Sequence, residues 1–502
     1  MRSKNILYNI GSNLLLQLIV VIYGFIVPRI IINYFGSSVN GLIVSITQFL
    51  AYITLLESGL GPVIKSVLYK PIANRDKTAI AKILKTSDRF FRIIAYVFLL
   101  YMVALCFLFP TFVSNEFDTV FTISLILIIG ISTFAEYFFG MTYKLYLQSD
   151  QKTYVISIIQ IITYILSIII IIILVGVGAS IHIIKLASGI VFMLRPIIQR
   201  MYVKSKYGIN FNNIDGNYEL KQKWDGLVQH IAFVIHNNTD ITILTLFVNL
   251  TEISVYSVYY LVVKGVDSLI QSFSNGIDAT FGDMIAKNEK ESLNKSFSMY
   301  EVLYYSITTI AFTCTIILIV PFVTVYTKGV TDANYIRNVF GPLIVISEYI
   351  WAIRLPYSSI TLAAGHFKQT KIGAWIECFV NIFISILLVK KYGLIGVTIG
   401  TIVAMSIRTI EFVYHANKYI LDRSIFETIK KVLVIIFETL LIVFICKYLP
   451  YLDNINYFSW FINATITFCV ASFITLLLNF VVFNNEFLGI LSIIKKLVKR
   501  TP

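Results

Sequence analysis

Long apolar runs, each bounded by turn residues or charges, recur along the whole chain. One of them closes on eleven positions, Ile165 to Val175, of Ile, Leu and Val interrupted only by Ser167. Such runs reach the roughly 20 apolar residues that a helix needs to cross a bilayer. Lipid offers no water to unpaired backbone groups, and a membrane β-barrel would show short alternating segments instead, so these runs must be helices. The pattern predicts an all-α polytopic membrane protein of fourteen spans. The first seven lie at about 6–32, 39–68, 90–110, 119–147, 154–175, 180–202 and 225–249. The other seven lie at about 253–286, 297–326, 338–364, 370–390, 393–420, 426–449 and 457–484.

Composition agrees: 57% of the 502 residues are hydrophobic and 14% charged, against about a quarter charged in soluble domains. Basic residues then test the count, because Lys and Arg favour short cytoplasmic loops. With the N-terminus inside, cytoplasmic segments and their flanking helix ends hold 31 of the 41 Lys and Arg, external loops hold Lys328, Lys390, Lys391 and Lys447, and the other six, Arg337 at a span edge among them, lie within or at the edges of spans. That alternation needs an even number of spans and two cytoplasmic ends. The net charge of +14 follows from sidedness and from attraction to anionic membrane lipids, without a nucleic-acid partner. Arg2 and Lys4 precede an apolar stretch too long and too polar (Asn9, Ser12, Asn13, Gln17) for a signal peptide, so it reads as a retained first helix. The five cysteines are scattered, with neither a CxxC pair nor zinc-like spacing.

Sliding the chain by 215 residues lays Gly11 on Gly226 and Gly61 on Gly276, and a shift of 216 lays the hairpin QSDQKTY at Gln148 beside AGHFKQT at Ala364. The predicted organisation is therefore a six-helix bundle at 1–202, a cytoplasmic linker at 203–224, a second six-helix bundle at 225–420, and helices 13 and 14 with a cytoplasmic tail at 421–502. Six helices per half is even, which gives the halves the same orientation and a parallel pseudo-twofold relation.

An ionised side chain at mid-bilayer costs about 2.5–3.5 kcal/mol on insertion scales, so such residues mark partners or water-filled paths. Helix 8 carries Tyr260, Lys264, Asp267, Gln271, Ser274 and Asp278 on one helical face. Helix 7 carries Gln229, His236 and Asp240 likewise, and helix 1 offers Asn13, Gln17 and Arg29 beside Pro28. Two readings stand: Lys264 and Asp267 neutralise each other at i, i+3 so that the helix inserts, or the stripes line a hydrated cavity. Glu57, Glu136, Glu348, Arg354 and Glu377 also fall in spans, whereas Lys65, Arg408 and Glu411 are expected to snorkel from helix ends. His236 has the chemistry for a coupling proton and equally for a bond to Asp240; Asp240 and Glu57 are further coupling-ion candidates. Prolines 28, 62, 196, 342 and 356 are expected to kink their spans. The chain has no GxxxxGK[ST] loop and no HExxH. No enzyme activity, cofactor or metal is expected.

The stretch PRIIINYFGSSVNGLIVSITQFLAYITLLESGLGPVIKSVLYKPIANRD, Pro28 to Asp76, resembles the first two helices of Wzx-type polysaccharide flippases, whose superfamily includes MurJ and the MATE exporters. The resemblance implies alternating access and an undecaprenyl-diphosphate-linked oligosaccharide as substrate, for O-antigen or capsule assembly. It also implies a polysaccharide polymerase and chain-length machinery as partners. On that basis Lys264, Arg354 and Arg29 are the candidates for the diphosphate, with Asp267, Gln271, Tyr260 and Gln17 as further cavity candidates. Related flippases place arginine where helix 8 has Lys264, and lysine lacks arginine's bidentate fork. A cation-coupled MATE-type exporter is the rival transporter, suited by Glu57, Asp240, Asp267 and Asp278. A membrane glycosyltransferase or polymerase is disfavoured by the short external loops, and a twelve-helix facilitator by KPIANRDKTAI after helix 2.

Overall fold

The computed structural model describes residues 2–57, 60–208, 227–274, 277–366, 368–452 and 456–500. All secondary structure among them is helical. The chain divides into two compact units, Met1–Ser254 and Val255–Pro502.

The first unit holds α1 (Arg2–Phe35), α2 (Ser37–Ala51), the short turn α3 (Thr54–Glu57), α4 (Leu60–Asn74), α5 (Lys77–Val113) and α6 (Thr119–Ala135). A π-helical turn, Glu136–Gly140, leads into α7 (Met141–Ser149), followed by α8 (Thr153–Gly176), α9 (Ile181–Tyr207) and α10 (Leu227–Phe247). α11 (Leu250–Ser274) begins in this unit and continues into the second. There follow α12 (Ile277–Ala286), α13 (Lys290–Tyr326), α14 (Phe340–Ala363), α15 (Lys371–Tyr392) and α16 (Leu394–Ala416). A second π-helical turn, Asn417–Leu421, precedes α17 (Ile425–Cys446), α18 (Tyr457–Val482) and α19 (Asn484–Arg500).

Eleven helical stretches among the described residues are long and apolar enough to span a membrane. α10, α14 and α17 have the length but carry more polar positions: Asn237, Asn238 and Asp240; Glu348 and Arg354; Lys430, Lys431 and Glu438. Large apolar side chains cover much of the outside, and the buried faces mix apolar residues with small and polar ones. On α15, Glu377, Asn381 and Ser385, spaced by four, are buried, while Ile372, Phe379, Phe383 and Leu387 are exposed. Small and polar residues let that buried face meet α16 closely: Asn381 Nδ2 donates to Thr401 Oγ1 at 3.0 Å, and a Cβ on Gly400 would overlap the Ser385 hydroxyl. Gly393, at φ 53°, makes the reversal between these helices in a region that favours glycine. In the first unit Val27, Ile31, Ile43, Ile171 and Ile184 form a core joining α1, α2, α8 and α9.

Several expected boundaries move for physical reasons. The span expected at 39–68 is broken: α2 ends at Ala51 and α4 starts at Leu60. The span expected at 90–110 begins thirteen residues earlier, because helix α5 continues into the charged segment, where Asp76 caps it by accepting from Thr78 N at 3.1 Å and Ala79 N at 2.9 Å. Those bonds, the one from Ala79 foremost, hold the Asp76 carboxyl below the usual carboxylate range. Pro62 and Pro342 stand in the first turns of α4 and α14, where no backbone N–H is needed, so they start helices rather than kink them. Pro28, Pro196 and Pro356 lie inside α1, α9 and α14.

Candidate functional site

Lys264 lies on α11 with its ammonium 2.9 Å from Asp267 Oδ2 and 3.4 Å from Glu348 Oε1 of α14. The i, i+3 partner was legible in the sequence; Glu348, an acid in a separate span, is added by packing. The two carboxylate side chains are 6% and 7% exposed and the lysine 37%, so one half-open cation serves two buried anions. Apart from these ion pairs, both Asp267 oxygens and Glu348 Oε2 are buried without a hydrogen bond among the described residues. The ammonium also sits 5.0 Å from the Tyr260 ring centre and 5.8 Å from that of Trp351, within cation–π range. Tyr260 stacks on Tyr256 with centroids 5.6 Å apart. Gln271 is exposed.

Arg354 belongs to a different cluster. Its Nη1 is 2.7 Å from Glu377 Oε1 on α15. Arg408 of α16 approaches the other Glu377 oxygen at 3.7 Å, pairs with Glu411 at 2.5 Å and donates to Thr370 O at 2.7 Å. Arg408 is 4% exposed, which corrects the expectation that it snorkels: two cations and two anions compensate one another inside the protein.

In the first unit Glu57 accepts from the Tyr137 hydroxyl at 2.8 Å. Glu136, in the π-helical turn, pairs with Lys144 at 2.6 Å and borders a polar cavity of about 100 Å³ with Gln160, Arg195 and Gln199. The Arg195 guanidinium sits in the corner between Tyr164 and Phe192, 4.2 and 4.0 Å from their centroids, and donates to Thr163 Oγ1 at 2.6 Å. Arg29 is half-buried on α1 and Gln17 is exposed. On α10, the residues facing α2 are Asn238, Thr242 and Thr245, bonded to Gln48, Tyr52 and Ser45. Asp240 is half-buried, and the side chains of His236 and Asp278 lie outside the described residues.

The sequence reading missed a third group. Glu301 of α13, 0% exposed, receives Lys431 Nζ of α17 at 2.5 Å and Arg423 Nη2 at 2.9 Å on one oxygen, and the Tyr357 hydroxyl of α14 on the other. The π-helical turn positions Arg423, whose N–H bonds Asn417 O at 3.0 Å and whose Nε bonds Asn417 Oδ1 at 2.6 Å. Glu301, Lys431 and Arg423 stand close to expected span ends, where a charge reads as solvated. Their chain separation, 130 residues for Glu301 and Lys431, hides the pairing. A signal was nonetheless present: opposite charges a turn inside helices 9 and 13.

No protein-family model matches the sequence, and no curated protein matches it significantly. Solved structures do match the fold. A lipid II flippase MurJ, in an inward closed conformation, aligns with a TM-score of 0.68 at 16% identity, over 96% of this chain and 99% of its own. An inward-facing multidrug resistance MATE family transporter of the MOP superfamily aligns with 0.60 at 14%, over 82% of this chain and 94% of its own. The eukaryotic MATE transporter AtDTX14 aligns with 0.55 at 12%, over 82% and 94%. The chain thus has the fold shared by MurJ and the MATE transporters.

Proposed function

We propose that this chain is a Wzx-type polysaccharide flippase of a bacterial cytoplasmic membrane. With both termini inside, it moves undecaprenyl-diphosphate-linked oligosaccharides outward by alternating access. The observation that carries this reading is the extent of the fold likeness. The flippase aligns with 96% of the chain, whereas the multidrug transporters exhaust 94% of their own length on 82% of it. The remainder is of the size of a helix pair, as the 6+6+2 plan requires. In this reading α10, α14 and α17 complete fourteen spans. Lys264, the half-open cation among buried anions, takes up the substrate diphosphate as a point charge, and the half-buried Tyr260, backed by Tyr256, offers a face to the sugars.

A second reading, a cation-coupled multidrug exporter, is favoured by the same cluster, because Asp267 and Glu348 outnumber their lysine and would accept a cationic drug. Deleting the gene separates the two. The flippase reading expects loss of surface polysaccharide, accumulation of the lipid-linked repeat unit and unchanged sensitivity to cationic dyes. Intact polysaccharide with raised dye sensitivity would overturn it in favour of the exporter.

A further inference from the structure

Two turns along α17 from Lys431 stands a second acid, Glu438, on the same helical face. It is 1% exposed, and its Oε1 is closed to solvent without a hydrogen bond. The other buried acids described in the second unit, Asp267, Glu301, Glu348 and Glu377, each have a cation within 3.4 Å. Glu438 has none among the described residues. Burying an isolated carboxylate is so costly that such a group neutralises instead, and an ionisable residue at membrane depth is retained where its charge is used.

The surroundings give that charge a use. Glu438 lines a small cavity of about 10 Å³ with Val302 and Tyr305 of α13, Lys431 and Ile435 of its own helix, and Asn479 of α18. That is room for about one water molecule, which needs polar partners such as these. Asn479 is fixed from behind, donating to Ser306 Oγ at 3.1 Å. The ionisable groups around the site are few. α13 presents Tyr305 and, beyond Lys431, Glu301; α14 presents Tyr349, whose hydroxyl donates to Thr309 Oγ1 at 2.8 Å; α18 has no acid or base along its length, and α16 contributes nothing to the cavity lining. Arg423 is engaged with Glu301.

We propose that Glu438 is a proton-binding site of this transporter, holding one proton in the conformation described and exchanging it, through the cavity water, against the ammonium of Lys431. The step is balanced: the acid releases one proton to water, and Lys431, now between Glu301 and Glu438, supplies the counter-charge. No other bond changes. Because Glu301 also clasps Tyr357 of α14, charging Glu438 pulls on a network that spans α13, α14 and α17. The site stands independently of what is transported, and its test uses no transport.

The full chain in lipid nanodiscs is studied by infrared difference spectroscopy across pH. Subtracting Glu438→Gln from wild type is expected to leave a protonated-carboxyl band at neutral pH that disappears as pH rises. A second measurement needs no variant: dicyclohexylcarbodiimide, which modifies protonated carboxyls in apolar surroundings, is expected to label Glu438 and spare the ion-paired Glu301, as read by peptide mass. A difference spectrum without an acid band at any pH overturns the proposal, as does labelling of Glu301 in preference to Glu438.

Discussion

Around Lys264 one cation serves two carboxylates, and around Glu301 one carboxylate serves two cations. The stoichiometry inverts, and so does the degree to which the carboxylates are satisfied, although Arg423 Nη1 in the Glu301 group is itself buried without a hydrogen bond. Each Glu301 oxygen accepts a charge-assisted or hydroxyl hydrogen bond, and Lys431 adds Ser298 at 2.9 Å and Tyr357 adds Thr428 at 2.7 Å. Around Asp267 and Glu348 the buried oxygens keep unused acceptor capacity and the lysine keeps an exposed side. A completed buried network rigidifies, while one missing partners is costly unless something else binds there. Charge inside a membrane protein is therefore no single category. The Glu301 knot holds helices together, whereas the Lys264 group leaves acceptors of its two carboxylates unused.

The comparison is most sharply tested by breaking the knot. Glu301→Ala leaves two cations buried without their anion, a loss of about 3–5 kcal/mol for breaking a buried pair. Thermal melting in detergent should show a large drop or no folded protein. Lys264→Ala leaves two buried carboxylates without their cation, and because such groups neutralise rather than stay charged, a loss of about 1–3 kcal/mol is expected. Its melting should fall less than that of Glu301→Ala while surface polysaccharide is lost. Wild-type polymer in this variant would remove Lys264 from substrate binding. Glu348→Gln removes the surplus anion and keeps the shape, so its melting should fall less than that of Lys264→Ala. The smallest effect belongs to Lys287→Ala, which breaks an exposed i, i+4 pair with Asp283 at 2.6 Å. Its melting should be unchanged, since solvent screens such pairs; a clear drop would mean that counting charges matters more than burial.

What the sequence revealed divides along the same line. The span at 154–175 and the helix Thr153–Gly176 agree nearly residue for residue, because apolar length is a local property that lipid enforces. The start of α5 was not legible, since its first turns lie in charged sequence held by the Asp76 cap. The Lys264 and Asp267 pair could be read at i, i+3. Glu348, Arg423 and Lys431 could not be assigned partners, because only tertiary packing brings residues from distant helices together. Arg354 is a further case: its partner Glu377, 2.7 Å away on another helix, could not be assigned from the sequence either.

The Glu301 knot also bears on how the chain is made. During synthesis α13 leaves the ribosome carrying its acid long before Arg423 and Lys431 are translated, so for that interval the helix must enter the bilayer with its counter-ions still unmade. Insertion of α17 is then the event that completes α13, and a nascent chain stopped before residue 423 would present an orphaned carboxyl to membrane quality control and be degraded rather than accumulate as a shorter protein.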